Sequence, residues 1–451
     1  MVSNMVNESN VNESNTVKSK LAIVGTGIAG LGCGYFLKDT HDITFFDVND
    51  YVGGHTNTVQ VPYQDGMFPM DTGFMVFNLA TYPNLIRFFK ELDVPYYPTD
   101  MSFSVQHCPL NLEWNGAGLN RVFGQRKNLL NLRFWRMLQQ LMRFNKESPQ
   151  LLRENAWDDG VVVEKSIQTY AEEKGYGEDF LTMFLLPMSA AIWSTDPDRM
   201  RAFPIQALLR FFENHGFFGL DSHHQWYTVE GGSQSYVQKL KPLLNARFIT
   251  AEPVVSVEES SEGVKLVSQN AQSQALSEHV FDQVILASHA DEALKMLANP
   301  TEIQQKLLSP FQYEQNLTTI HTDSKVMPKA PLCWASWNYR VAPDSLGNLQ
   351  ATTHYWMNNL QKLPTPTAHF VSLNADHLIS QDKVIQQIRY THPRFDVATL
   401  KAQHHLPDLN KVSKQQKIFF CGSYFRYGFH EDAFTSALNL CRVLLEDSLW
   451  R

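Results

Sequence analysis

Apolar positions run along this chain in two rhythms. Leu21-Ala22-Ile23-Val24 is a short unbroken apolar run, the pattern of a strand buried on both faces. Ile43 to Phe46, Phe281 to Ser288 and Lys417 to Cys421 repeat it, and Phe248 to Val257 alternates as a strand does. Helical spacing marks Leu31–Leu37, Asn84–Leu92, Ile205–Phe212, Gln234–Leu244 and Ser436–Leu445. More coarsely, 82 to about 225 reads as mainly helical, and 299 to 407 as strand-rich and aromatic. Buried strands alternating with helices at both ends predict an α/β chain with a Rossmann-like unit.

Between the first strand and its helix stands Gly25-Thr26-Gly27-Ile28-Ala29-Gly30, matching G-x-G-x-x-G where a strand must turn into a helix. The first glycine permits the tight turn and the second lets backbone approach a pyrophosphate. The third lets the helix pack closely on the strand, so that its N–H groups point at the phosphates. Asp47 closes the second strand, where a carboxylate can accept from ribose hydroxyls. An acidic residue there favours FAD or NAD over NADP. Gly53-Gly54-His55-Thr56 follows and predicts a second backbone approach to the dinucleotide, with a simple turn as the alternative. Gly73 marks another tight turn within an apolar segment. Near the end, a strand runs into Gly422-Ser423, and Glu431-Asp432-Ala433 leads into the closing helix. Its N-terminus could offer more N–H groups to an electron-rich ring.

Composition narrows the classes. A chain of 451 residues has room for two domains, and its net charge of −8 argues against general nucleic-acid binding. Five scattered cysteines without C-x-x-C read as reduced, mostly buried thiols in a cytoplasmic protein. Residues 1–18 hold a short polar tandem repeat and read as a disordered tail without a targeting pattern. No apolar run is long enough for a membrane helix. Arg121 to Lys146 carries seven basic residues and no acidic one, interleaved with Leu, Met, Phe and Trp. Such a basic amphipathic stretch fits either contact with a membrane surface or a core-packed helix with a solvated basic face. The adjacent pairs His223-His224 and His404-His405 diverge, and H-E-x-x-H is absent, so no metal site is expected. A G-x-S-x-G elbow is absent too.

The glycine unit with Asp47, the Gly53-Gly54 pair and the C-terminal strand–glycine–helix together resemble the flavin-containing amine oxidase and phytoene desaturase superfamily. The resemblance implies an amine oxidase fold, a Rossmann-like FAD-binding domain interleaved with a helical and mixed-sheet substrate domain. Segments 19–78, 226–298 and 415–451 would form the first, and 79–225 with 299–414 the second. FAD would be held non-covalently by Gly25, Gly27, Ile28, Ala29, Gly30, Asp47, Gly53, Gly54, His55, Thr56, Gly73 and Val254 from the first domain. Gly422, Ser423, Glu431, Asp432 and Ala433 would meet the flavin end. Asp71-Thr72-Gly73-Phe74, Trp334 to Tyr339 and Cys421 to Ala433 look like a bacterial branch often encoded beside cyclopropane-fatty-acid-synthase-like methyltransferases. That implies a flavoenzyme desaturating or isomerising an unsaturated or methyl-branched acyl chain, at the inner membrane face if 121–146 touches lipid. Trp193, Trp334, Trp337, Tyr424 and Tyr427 would line the substrate site, and Leu185 to Trp193 with Phe203 fit either its apolar wall or plain core. The chain departs from the superfamily at His55, where Arg is frequent, and at Ser423, where Glu is frequent. The superfamily's frequent lysine near the flavin has no sure counterpart, and His321 is the candidate polar group in its place. Two other readings remain open: a flavin amine oxidase, and a non-catalytic lipid-binding protein like the Rab GDP-dissociation inhibitors.

Overall fold

A computed structural model describes residues 18–154, 165–193, 197–219, 224–344, 346–411, 416–446 and 449–450. The expected N-terminal tail lies almost wholly outside them. The centre is a five-stranded parallel sheet, in order Arg247–Ile249, His41–Phe46, Ser19–Val24, Gln283–Leu286 and Ile418–Phe420. All four apolar runs therefore lie side by side. Leu21, Ile23, Phe45, Ile285 and Phe419 pack on one face against the helices Ile28–Leu37 and His430–Leu444. Ala22, Val24, Phe46, Leu286 and Phe420 pack on the other, against the three-stranded sheet of Val254–Ser260, Gly263–Gln269 and Leu276–Phe281. Burial on both faces is why these strands lack polar alternation.

A seven-stranded sheet forms a second layer, running Val384–Arg394, Gln312–His321, Phe370–Leu373, Leu349–Trp356, Trp337–Pro343, Phe103–His107 and Leu112–Asn115. Its last strands are exceptions within 82–225, whose described residues are otherwise mainly helical, as expected. Phe103-Ser104-Val105-Gln106-His107 alternates apolar and polar residues as a half-buried strand does, yet every position is buried. Helices Leu132–Glu154, Ile167–Lys174, Leu186–Trp193 and Ile205–Asn214 build an apolar cluster over this end of the sheet. Leu181–Leu185 widens into a π turn ahead of Pro187, whose ring supplies no N–H.

Other boundaries shift for local reasons. The closing helix starts at His430, six residues before its expected start, because Asp432 folds back onto the N–H groups of Tyr427 and Phe429. Residues 121–146 are not one helix. They divide into Leu119–Val122, a 3-10 turn at Arg126–Leu130, and Leu132 onward. All five cysteines are free, four of them buried and Cys108 half-buried. Among the described residues, no helix is long and apolar enough to cross a membrane, and no three His, Cys, Asp or Glu side chains could hold a metal ion.

Candidate active site

The glycine turn lies at the carboxyl ends of the parallel strands, where such sheets open a ligand crevice. Gly25 has φ +104°, and a Cβ there would meet Ala287 O at 2.8 Å, so only glycine passes between the two strand ends. A Cβ on Gly30 would lie 2.0 Å from Gly25 O, which holds the helix close to its strand. Gly27 is different: a Cβ there meets no atom within 4 Å. Its bare backbone faces open space at the N-terminus of the helix Ile28–Leu37, a cradle fitted to a pyrophosphate.

Asp47 is buried beneath this turn. Its Oδ2 accepts from Thr26 N at 2.7 Å and from Thr26 Oγ1, and its Oδ1 accepts from Asn49 N at 2.9 Å and Asn49 Nδ2 at 3.0 Å. The carboxylate shapes the glycine turn, and a ribose hydroxyl would share its lone pairs with these donors. Val254 opens the strand that follows 249–252, whose backbone bonds to Asp47 and Asn49. Gly54 lies against Gly27, since a Cβ on it would be 3.0 Å from Gly27 Cα. Gly73 presses on the next residue: its Cβ would meet His55 O at 2.2 Å, and Phe74 N donates to that oxygen at 2.8 Å. Asp71 secures the segment from below. It is buried and accepts from Thr58 Oγ1, Ser233 N, Ser233 Oγ and Gln361 Nε2, while burial raises its carboxyl to about 6.

Tertiary structure adds a cluster that spacing along the chain does not show. The His55 ring lies 5.0 Å from Tyr390, 5.7 Å from His392 and 6.3 Å from His289. His289 follows the strand Gln283–Leu286, stacks on Tyr313 at 4.2 Å, and its Nδ1 pairs with Thr391 Oγ1 at 3.1 Å. His392 Nδ1 accepts from Asn316 Nδ2 at 2.8 Å. His430, first residue of the closing helix, stacks on Phe74 at 3.8 Å, and its Nε2 pairs with Tyr236 Oη at 2.8 Å. Burial, reinforced by the neighbouring imidazoles, lowers His55 to about 4 and His392 and His430 to about 3. Burial alone lowers His289 to about 4. All four are neutral at pH 7 and can donate N–H groups without a standing charge. His55 thus has imidazole neighbours where the superfamily often has one Arg.

At the C-terminal end, Gly422 N donates to Ser436 Oγ at 2.9 Å, and Ser423 opens the loop to Gly428. Glu431 accepts from Asn84 N at 3.0 Å and Leu85 N at 2.9 Å, capping the helix Pro83–Glu91. Its neighbour Asp432 accepts from Tyr427 and Phe429 N, and burial raises it to about 7. These two side chains are therefore engaged by protein, and what their stretch offers a cofactor is the start of a 15-residue helix. Ala433 is packed behind it, and Thr56 Oγ1 pairs with Tyr236 Oη at 2.7 Å. Beside this helix start lies a cavity of about 370 Å³, lined among others by Tyr82, Asn84, His215, Arg426, Phe429 and Asp432.

His321 does not reach the crevice. Its Nδ1 accepts from Asp323 N at 3.0 Å and its Nε2 meets Ser372 Oγ at 2.7 Å, which in turn meets His354 Nδ1 at 2.7 Å. Fully buried and bonded at both nitrogens, it is a core residue with no face to present to a substrate. The five pocket aromatics divide, and of them Tyr427 lines the cavity beside the closing helix. Trp193, Trp337 and Tyr427 belong to the helical cluster. Trp334 goes to a small cluster with Phe370, and Tyr424 packs on Phe311 behind the parallel sheet. Strand spacing cannot tell which apolar cluster an aromatic joins.

The residues present fit FAD: an open glycine cradle, a close second glycine pair, uncharged N–H donors and a second helix start converge on one crevice. Comparison with known proteins agrees. The model of the flavin containing amine oxidoreductases matches residues 28–324. No curated protein matches the sequence. Among solved structures, a fatty acid isomerase from P. acnes that produces CLA superposes with TM-score 0.62 at 15% identity, over 94% of this chain and 97% of that one. Cyclohexylamine oxidase from Brevibacterium oxydans gives TM-score 0.64 at 16% identity, over 95% and 100%. Putrescine oxidase bound to putrescine gives 0.64 at 12%, over 96% and 100%. At such identities these likenesses speak for the fold, and the family match spans well over half of the chain. The chain belongs to the flavin containing amine oxidoreductases and is an FAD-dependent oxidoreductase.

Proposed function

We propose that this oxidoreductase acts on a fatty acyl chain, by desaturation or double-bond isomerisation, with FAD bound non-covalently. The observation that carries this reading is the chemistry of the cavity beside the closing helix. Its two carboxylates, Glu431 and Asp432, are spent on backbone N–H groups, and burial raises both above the usual carboxylate range. Burial also keeps His215 neutral, lowering it to about 4. Arg426, an exposed residue, is the cation on the lining, beside Asp432. That charge suits a carboxylate and repels an ammonium. Behind it, Phe429 stacks on Phe211 at 5.1 Å and Phe211 lies 5.2 Å from Trp193, an apolar wall for a hydrocarbon.

Bound FAD supplies a two-electron, hydride-accepting ring. The chain's part is to hold the pyrophosphate at Gly27, Gly54 and the His55 cluster, to anchor the acyl headgroup at Arg426, and to exclude water along the aromatic wall. The test is anaerobic incubation of purified holoenzyme with an unsaturated fatty acid or with primary amines, followed by flavin absorbance and mass analysis of the acyl chain. Bleaching, or a moved double bond, with the fatty acid supports the reading. Bleaching by amines alone, with the acyl chain unchanged, refutes it.

A further inference from the structure

The segment from Leu119 to Trp135 exposes more apolar surface than its fold requires. Among the described large apolar side chains, three of the four most exposed lie within it: Leu119 at 80%, Leu130 at 90% and Leu132 at 78%. They are not the tips of a loose loop. Phe123 and Phe134 are buried beneath them, and Asn128 is buried with its Nδ2 on Glu113 O at 2.9 Å. Trp135, half-exposed, rests on Phe123 at 5.1 Å and donates from Nε1 to Leu129 O at 2.9 Å. A folded interior therefore holds a group of leucines out into water, the form of a contact surface.

Charge identifies the partner. Between Trp114 and Lys146 there are seven Lys or Arg and no Asp or Glu, in a protein of net charge −8. Arg121, Arg126 and Lys127 are exposed around the leucines. Arg133 and Arg136 share one carboxylate, Asp179, so the pair keeps a net positive charge. Protruding leucines with a half-exposed Trp, rimmed by cations, are built to enter the headgroup and acyl boundary of an anionic bilayer. We propose that this face docks the enzyme on a membrane surface bearing anionic phospholipid, with Leu119, Leu130 and Leu132 inserted and Arg121 and Lys127 on the phosphates. The proposal does not rest on the acyl substrate and can fail or stand apart from it.

The test is cosedimentation of the holoprotein with vesicles of phosphatidylcholine alone or mixed with phosphatidylglycerol. Wild type is expected to sediment with the mixed vesicles, and to release as salt rises from about 0.1 M to about 1 M, where screening shortens from about 10 Å to about 3 Å. Leu130→Glu with Leu132→Glu should weaken binding at least tenfold, and Arg121→Glu with Lys127→Glu several-fold. Leu346→Glu, at an equally exposed leucine elsewhere (84%), should leave it unchanged. Flavin content confirms that each variant is folded. Absence of binding to mixed vesicles, or equal binding by the Leu130/Leu132 variant, overturns the proposal. So does self-association in sedimentation velocity that this variant abolishes without any vesicle binding, since the face would then be a protein contact.

Discussion

Replacing Gly27 and Gly30 separately by alanine tests whether the open space at the strand-to-helix turn belongs to the cofactor. At Gly30 the new methyl would sit 2.0 Å from Gly25 O and 3.2 Å from Ile23 Cγ2, and a backbone carbonyl cannot swing aside. Overpacking of this kind costs roughly 1–3 kcal/mol, at about 2–4 °C in Tm per kcal/mol for a domain of ordinary size. Gly30→Ala should therefore lower the melting temperature of flavin-free protein by several degrees. At Gly27 the methyl meets no protein atom within 4 Å, and φ −65°, ψ 175° suits alanine. Losing glycine at a helix N-cap costs less than about 1 kcal/mol, and the stiffer unfolded chain returns roughly 0.4–1 kcal/mol. Flavin-free Gly27→Ala should melt within about 2 °C of wild type. Its methyl would occupy the approach to the pyrophosphate, and FAD affinity should fall about tenfold or more, about 1.4 kcal/mol. The assay is paired: thermal melting of the flavin-free proteins, and FAD titration by flavin fluorescence. Unchanged FAD affinity in Gly27→Ala would refute the cradle, and a melting loss as large as that of Gly30→Ala would refute the open space.

Asp71→Ala leaves the donors of Thr58, Ser233 and Gln361 buried without an acceptor, and should destabilise the protein by about 3 kcal/mol or more in denaturant unfolding. A loss below about 1 kcal/mol would contradict the hydrogen-bonding role given to it. Glu431→Ala uncaps the helix Pro83–Glu91 and should cost about 1–3 kcal/mol, with Glu431→Gln recovering part of it; equal losses would show that the cap is not what matters. His55, His289, His392 and His430 are held neutral in the fold, with values of about 4, 4, 3 and 3, against about 6.5 when unfolded. The unfolded chain binds more protons between pH 6.5 and about 4, so stability is full above 6.5 and is lost as pH falls through that window. The slope is at most about 1.4 kcal/mol per pH unit for each imidazole. Melting of the flavin-free protein from pH 7.5 to 4.5 reads it, and a flat profile would contradict the buried neutral cluster.

Sequence by itself determined the strand–glycine–helix unit at the start of this protein. Leu21–Val24, the three glycines and the helix after them form a local unit whose turn chemistry is written within a few consecutive residues. The four apolar runs of the parallel sheet were legible for the same reason: strands buried on both faces must be apolar throughout. Phe103–His107 carries a strand's alternation, but only the fold shows that Ser104, Gln106 and His107 are buried too, because both faces of this strand are covered. The basic stretch announced its composition, but only the fold decided which leucines it hides and which it holds out. Tertiary structure alone assembled His55, His289, His392 and His430, drawn from four separate segments of the chain. It likewise gave Glu431 to a helix N-terminus and His321 to the core. A hydrogen bond or a ring contact depends on which surfaces the chain folds together, and no spacing along the sequence carries that information.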